Sequence, residues 1–183
     1  MAKKVVIVLA EGFEEIEAIT CIDVLRRAEL DVKIAGLSGK SVTGAHGVKV
    51  EADITLENYD GTADCVVLPG GMPGSKNLQN SKKVAELVKK MNGEGKWVTA
   101  ICAAPALALA SAGVLEGKRA TCYPGFESNF APSTKFSAES VVVDGNVVTS
   151  RGPGTAMQFA LQLVEKLAGR ETAQSLRQGM LVN

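Results

Sequence analysis

Cys102 is the residue whose position most clearly predicts chemistry. It follows the apolar run Trp97–Ile101 and precedes Ala103–Pro105, so a buried strand is expected to turn into a helix at the cysteine. Such a turn holds the side chain above the edge of the sheet and often strains the backbone. Because the thiol would face the positive end of a helix dipole, we expect a lowered pKa and a reactive thiolate rather than a structural cysteine.

Glu17 is the carboxylate that best fits a role beside such a thiol. On a predicted helix over Glu14–Ala28, it falls in the apolar arc with Cys21 and Val24. A carboxylate in an apolar setting tends to be protonated or to have a strong partner. A protonated Glu17 could donate a hydrogen bond to a thiolate or act as a general acid and base. The alternative role, a carboxylate at the start of the helix that interacts with the helix dipole, fits Glu14 and Glu15 better than Glu17.

Two adjacent glycines, Gly70 and Gly71, follow the predicted strand Cys65–Leu68. Paired glycines let the backbone approach a ligand and point amide groups into a cleft. These amides could form an oxyanion hole for a species attached to Cys102. The glycines alone are a weak signal, since glycine is common in such turns, and they gain weight only from the expected neighbourhood of Cys102.

The other cysteines and the only histidine predict no metal centre. Cys21 and Cys65 fall in apolar stretches and are expected in the core. Cys122 is expected in the core too, although a resolving thiol is the alternative. The four cysteines form no CxxC pair and no metal-ligand spacing with His46. His46 is expected either in an exposed loop or in an interface or site role.

Short β-branched runs alternate with helical patterns, which predicts a mainly parallel sheet. The predicted strands are Val5–Leu9, Asp31–Leu37, Cys65–Leu68, Trp97–Ile101 and a hairpin of Val141–Asp144 and Val147–Ser150, with Val48–Ala52 in a hairpin or at an edge. The predicted helices are Glu14–Ala28, Ser81–Met91, Ala103–Ala112, Pro153–Leu167 and a short one from Glu171. Since ligands bind beyond the carboxyl ends of such strands, the site is expected just after Leu9, Leu68 and Ile101.

Length, composition and charge argue against membrane, secreted and nucleic-acid-binding classes of protein. The 183 residues suit one domain, 46% of them are apolar, and the formal net charge is zero. No basic block predicts a nucleic-acid or anionic-membrane surface. The apolar stretch Val5–Ala10 is too short for a signal peptide, and no run approaches the length of a membrane helix. We therefore expect a cytoplasmic protein with no membrane partner and no specific nucleic-acid binding.

Four segments together resemble the ThiJ/PfpI superfamily, and most closely its DJ-1 and YajL branch. They are Val-Ile-Val-Leu-Ala-Glu-Gly-Phe-Glu-Glu-Ile-Glu ending at Glu17, Val-Leu-Pro-Gly-Gly ending at Gly71, Ala-Ile-Cys-Ala-Ala-Pro around Cys102, and Thr-Ser-Arg-Gly-Pro-Gly-Thr ending at Thr155. The resemblance covers residues 1–183 as a single domain. It implies a flavodoxin-like α/β fold, with a mainly parallel sheet flanked by helices on both faces, and a homodimer.

The resemblance also implies roles and activity. Cys102 would be the nucleophile and Glu17 its partner, with the amides of Gly70, Gly71 and Ala103 in the site. The activity would be that of a glyoxalase without cofactor or metal, which converts the 2-oxoaldehyde methylglyoxal to lactate, or of a deglycase for glycated proteins and nucleotides. The alternative is a redox-responsive stress protein or chaperone whose cysteine is oxidised to sulfinate.

One position departs from the superfamily pattern. Many members place a histidine where this chain has Tyr123, so neither a Cys–His dyad nor protease or amidotransferase activity is expected. His46 stands where the branch often has an arginine near the dimer interface. Arg27 could reach that interface or be solvated, and Arg151 could support the site or bind a carboxylate. Thr155, near the start of its predicted helix, fits a structural capping role as well as a role in the site.

Overall fold

A seven-stranded sheet forms the centre of the computed structural model, which describes residues 2–182. The strands in chain order are β1 (Lys4–Leu9), β2 (Asp31–Gly36), β3 (Ser41–Thr43), β4 (Lys49–Glu51), β5 (Ile54–Thr55), β6 (Cys65–Leu68), β7 (Trp97–Ile101), β8 (Arg119–Ala120), β9 (Lys135–Phe136), β10 (Val141–Asp144) and β11 (Val147–Ser150). The order across the sheet is β10-β11-β7-β6-β1-β2-β5. Within this sheet only the β10–β11 pair is antiparallel. Two small separate pairs are the antiparallel β3–β4 and the parallel β8–β9.

The order of the five main parallel strands is the flavodoxin-like one. Counted along the chain as β1, β2, β6, β7 and β11, they lie in the order 2-1-3-4-5. The strand order reverses between β1 and β6, and in folds of this kind the crevice beyond that switch point binds ligands. The predicted α/β sheet is therefore confirmed, and it brings the chain ends after β1, β6 and β7 to one edge.

Helices cover both faces of the sheet. They are α1 (Glu15–Arg27), α2 (Gly74–Asn80), α3 (Lys82–Gly93), a π-helical turn (Pro105–Leu109), α4 (Ala156–Ala168) and α5 (Arg170–Gly179). Single 3-10 turns lie at Leu56–Asn58, Glu127–Asn129 and Pro153–Thr155. Within residues 2–182, no helix has the length and apolar character needed to cross a membrane.

Alternation along β1 divides the interior into two cores. Val5, Ile7 and Leu9 pack into one core with α1 and α4. Val6 and Val8 pack into the other, with α2, α3 and the helix after β7. Since both faces of the strand are buried, its sequence is a continuous apolar run. This arrangement fixes α1 on one face of the sheet, with its first turn at the carboxyl edge.

Two helical segments differ from the sequence prediction. The helix expected over Ala103–Ala112 contains the π-helical turn, in which the Ala110 amide donates to the carbonyl of Pro105. Helix α2 was not predicted, because its seven residues carry weak helix formers. Tertiary contacts stabilise it instead: the Gly74 amide donates to the carbonyl of Gly12 at 3.1 Å, and Leu78 is buried.

Candidate active site

Cys102 lies at the turn between β7 and the following helix, as predicted, in a strained conformation. Its φ is +66°, in the left-handed region that non-glycine residues rarely adopt. Two backbone hydrogen bonds hold it there. Its amide donates to the carbonyl of Ser150 at 3.0 Å, and its carbonyl accepts from the amide of Tyr123 at 2.8 Å. Cys102 is 8% exposed, so it is largely screened from bulk water.

Glu17 is fully buried in the first turn of α1, within the apolar face that the sequence predicts for it. Its Oε2 accepts a hydrogen bond from the amide of Gly70 at 2.7 Å. Its Oε1 is buried and has no hydrogen-bond partner among the described residues, so a proton has room there. Burial raises the pKa of Glu17 to about 7, against the hydrogen bonds from Gly70 and Cys102, with Glu14 adding to the rise.

Gly70 lies between the two side chains. A β-carbon on Gly70 would be 2.7 Å from Oε2 of Glu17 and 3.0 Å from Sγ of Cys102. Only glycine therefore lets the loop after β6 approach this closely. The Gly70 amide, a sequence-predicted candidate for an oxyanion hole, instead donates to Glu17. The amides of Gly71 and Ala103 are the ones that interact with the thiol of Cys102.

The pKa of Cys102 corrects the sequence prediction of a lowered value. Burial and the negative charge of Glu17 raise it to about 12, against the opposing effect of the Gly71 and Ala103 amides. Burial and the charge of Glu17 thus outweigh the helix dipole. Since the two groups interact directly, their titration belongs to the pair. The pair therefore loses its first proton at a much lower pH than its second. Between these two steps it carries one negative charge and one proton.

His46 lies in the turn of the β3–β4 hairpin and binds Glu15. Glu15 is almost buried and accepts hydrogen bonds from the His46 amide at 2.6 Å, from His46 Nδ1 at 2.8 Å and from the Val48 amide at 3.4 Å. The imidazole itself is largely exposed. The sequence missed this role of Glu15, since nothing in the chain pattern links residues 31 positions apart. The carboxylate thereby attaches the hairpin to the start of α1.

The remaining predicted residues separate into two groups. Tyr123 holds the Cys102 backbone, and its half-exposed ring packs over Gly152. Arg151 follows β11 at the same edge of the sheet and donates to the carbonyl of Ala138 at 3.0 Å. Arg27 is elsewhere: it pairs with Asp23 at 2.7 Å on the surface, ten residues and therefore about 15 Å along α1 from Glu17.

Cys122 and Thr155 have structural roles. Cys122 is fully buried, and burial raises its pKa to about 12, as expected of a core cysteine. Thr155 Oγ1 lies 2.7 Å from Ser150 Oγ and accepts from the Gly152 amide at 3.1 Å. It therefore stabilises the turn before α4, which is the capping role considered for it.

One group of side chains in residues 2–182 has the spacing of metal ligands. Glu14, Glu15 and His46 bring three ligand atoms within 4.8 Å of one another. Both oxygens of Glu15 already accept hydrogen bonds from the hairpin. The positive end of the α1 dipole also disfavours a cation there, so we assign no metal to this group.

Known proteins resemble the chain over most of its length. "Protein DJ-1 homolog B" of Arabidopsis thaliana is 46% identical over 173 residues, 93% of this chain but 40% of that protein. The chain thus spans less than half of that plant relative. "Glutathione-independent glyoxalase DJR-1.2" of Caenorhabditis elegans is 39% identical, covering 91% of this chain and 89% of that protein. A crystal structure of Drosophila melanogaster DJ-1beta superposes with a TM-score of 0.96 at 41% identity, covering all of both chains. Residues 3–166 match the model of the DJ-1/PfpI family, and the chain belongs to this family.

Proposed function

We propose that the protein is an enzyme, a cofactor-independent glyoxalase that converts methylglyoxal to lactate with Cys102 as nucleophile. The observation that carries the proposal is the buried Glu17 carboxyl beside the strained Cys102, with Gly70 between them. A group that titrates near pH 7 is suited to give and take protons under physiological conditions. The nematode relative named as a glutathione-independent glyoxalase supports the same reaction.

In the first step the Cys102 thiolate attacks the aldehyde carbon of methylglyoxal. A carbon–sulfur bond forms and the carbonyl oxygen becomes an oxyanion. The amides of Gly71 and Ala103, which interact with sulfur in the free protein, then lie next to that oxyanion and donate to it. Protonated Glu17 gives its proton to the oxyanion, which leaves a hemithioacetal and an ionised carboxylate.

In the second step Glu17 moves a proton between the two substrate carbons. Its carboxylate removes the proton from the former aldehyde carbon, which gives an enediolate with its negative charge on the neighbouring oxygen. Glu17 then returns that proton to the neighbouring carbon. The proton of the hydroxyl beside sulfur passes to the neighbouring oxygen as the carbonyl re-forms beside sulfur, which gives a lactoyl thioester on Cys102 and leaves Glu17 ionised. Water hydrolyses the thioester and releases lactate and the thiol. The sum is methylglyoxal plus water to lactate and one proton, with no external oxidant or reductant.

Lactate formation from methylglyoxal without glutathione tests this function. We expect Cys102→Ser to abolish turnover and Glu17→Gln to lower kcat by about 100-fold or more, because general acid–base catalysis contributes factors of this size. Cys122→Ser is the matched control and should keep full activity. Full activity in Cys102→Ser would refute the mechanism. Glycated peptides and nucleotides, assayed after free methylglyoxal has been removed, would extend the substrate class to deglycation.

A redox-responsive stress protein is the second candidate function, and the free Oε1 of Glu17 favours it. When protonated, this oxygen could donate to a sulfinate on Cys102. Mild peroxide should then oxidise Cys102 selectively and alter protection of a client protein from aggregation. Protection that is identical before and after oxidation, and in Cys102→Ser, would separate any chaperone action from the thiol.

We also propose a homodimer and a cytoplasmic location. Ile16, Ile19 and Val48 are large apolar side chains, 57%, 42% and 50% exposed, on α1 and the neighbouring hairpin. A second copy could cover them, and Ile19→Glu should then yield monomers in analytical ultracentrifugation.

The four unpaired cysteines fit a reducing compartment, which cell fractionation would check.

A further inference from the structure

Glu14, Glu17 and Gly70 form a closed cycle of three hydrogen bonds. The Gly70 amide donates to Glu17 Oε2 at 2.7 Å, and the Glu17 amide donates to Glu14 Oε2 at 2.8 Å. The Glu14 amide closes the cycle by donating to the carbonyl of Gly70 at 2.9 Å. The cycle joins the start of α1 to the loop after β6 across the switch point. Any displacement of Glu14 would therefore move both the Glu17 backbone and the glycine that holds its carboxyl.

Glu14 is also a second acidic group within the same largely buried junction. It is 7% exposed, and its carboxylate caps α1 from the position directly before the helix. Its effect on the two reacting groups is unequal. Glu14 contributes to the raised pKa of Glu17 through its charge. The pKa of Cys102 is instead raised by burial and by Glu17.

We infer that Glu14 is a positioning residue that steers the single negative charge of the Glu17–Cys102 pair onto the sulfur. This inference rests on the proposed role of Cys102 as a nucleophile. The Glu14 carboxylate raises the cost of a negative charge on Glu17, whereas burial and Glu17 itself raise the cost of a negative charge on the sulfur. The balance within the pair therefore moves towards protonated Glu17 and thiolate, which is the reactive combination.

Other ionisable groups around the pair do not provide this steering. Cys21 faces Glu17 from the next turn of α1, but burial raises its pKa and keeps the thiol neutral. Glu15 and His46 lie on the hairpin side of Glu14 and bind each other. Glu14 is the charged group that both contacts the Glu17 backbone and contributes to the raised pKa of Glu17.

The test is the pH dependence of Cys102 alkylation by iodoacetamide, read by mass spectrometry on the full chain. Glu14→Gln keeps an oxygen that accepts the Glu17 amide but removes the charge. We expect its alkylation midpoint to fall by about one pH unit, the usual order for loss of a close like charge. We also expect a several-fold slower plateau rate above the midpoint, because more of the charge then rests on Glu17. Glu14→Asp, which keeps charge and cap, should titrate like the wild type.

Glu15→Gln is the matched control, since it removes the same charge one residue away without breaking the cycle. It should keep the wild-type midpoint and plateau. An unchanged titration in Glu14→Gln, or an equal shift in Glu15→Gln, would overturn the inference. If Glu14→Gln does not fold, Glu14→Ser supplies an uncharged cap and should show the same two changes. Alkylation does not depend on turnover, so a failure to form lactate would refute the proposed function while leaving this result intact.

Discussion

Gly70 and Cys102 are packed so closely that a β-carbon on Gly70 would lie 2.4 Å from Cβ of Cys102. Cys102 cannot give way easily, because both its amide and its carbonyl are hydrogen-bonded to neighbouring segments. The close approach therefore couples the loop after β6 to the nucleophile.

Gly70→Ala should consequently displace the thiol and the Glu17 carboxyl together. We expect a loss of about 1–3 kcal/mol in the free energy of unfolding, typical of overpacking in a dense interior, and a loss of lactate formation. Urea denaturation and the lactate assay would measure the two effects. Gly93→Ala is the control, because a β-carbon there meets no atom within 4 Å. A Gly70→Ala variant as active and as stable as this control would contradict the close packing.

The sequence predicted that Cys102 and Glu17 meet because the chain order of an α/β sheet dictates which residues reach the same edge. Cys102 after β7 and Glu17 after β1 had to reach the same edge once the strands were parallel. The destination of the Gly70 amide could not be predicted in this way. It depends on a rotamer of Glu17 and on a close approach between two loops, neither of which leaves a pattern in the sequence.

The sign of the Cys102 pKa shift was wrong for a related reason. A helix dipole can be anticipated from a strand followed by a helix, whereas the depth of burial and the charge of Glu17 depend on how closely the side chains pack. Helix α2 was missed because contacts with Gly12 stabilise it rather than its own propensity. The hydrogen bonds between Glu15 and His46 join distant segments and could be seen only in the folded chain.

The buried carboxyl of Glu17 predicts a stability that falls as pH rises. Its pKa is about 7 in the fold against an ordinary value of 4.5. Between these values the folded protein holds a proton that the unfolded chain has lost, so rising pH favours unfolding. The difference corresponds to about 3 kcal/mol. The difference in free energy of unfolding between Glu17→Gln and the wild type should therefore shift by that amount in favour of the variant from pH 4.5 to pH 7.5. Urea denaturation at the two pH values would measure it. The exposed Glu116→Gln should show no such gain, and parallel profiles for the two variants would disprove the shift.

Glu15 should control the order of the hairpin turn that carries His46. Without its carboxylate the amides of His46 and Val48 lose their acceptor, so Glu15→Ala should speed hydrogen exchange at both. The amide of Gly12, which donates to Thr43, reports whether the hairpin as a whole has detached. Exchange at wild-type rates at residues 46 and 48 would show that the turn does not depend on Glu15.

The His46 side chain should add a smaller, pH-dependent part to this effect. The hydrogen bond and charge of Glu15 raise the pKa of His46. Its stabilisation is therefore complete below the pKa of a histidine in the unfolded chain and is lost as pH rises through the higher folded value. His46→Ala should speed exchange at Val48 at acidic pH and match the wild type at alkaline pH. A pH-independent difference would mean that the imidazole acts without its charge.

The strained backbone of Cys102 predicts an unusual order of stability among its variants. At φ +66° a side chain costs about 1–2 kcal/mol that glycine does not incur. Cys102→Gly should therefore unfold at a higher urea concentration than Cys102→Ala, although glycine also loses more entropy on folding and offsets part of the gain. Ala110 lies in a right-handed helical conformation with φ −62° and ψ −46°, and there the order should reverse, since Ala110→Gly costs about 1 kcal/mol. If Cys102→Gly were less stable than Cys102→Ala by the amount lost at position 110, the turn at the nucleophile would not be strained.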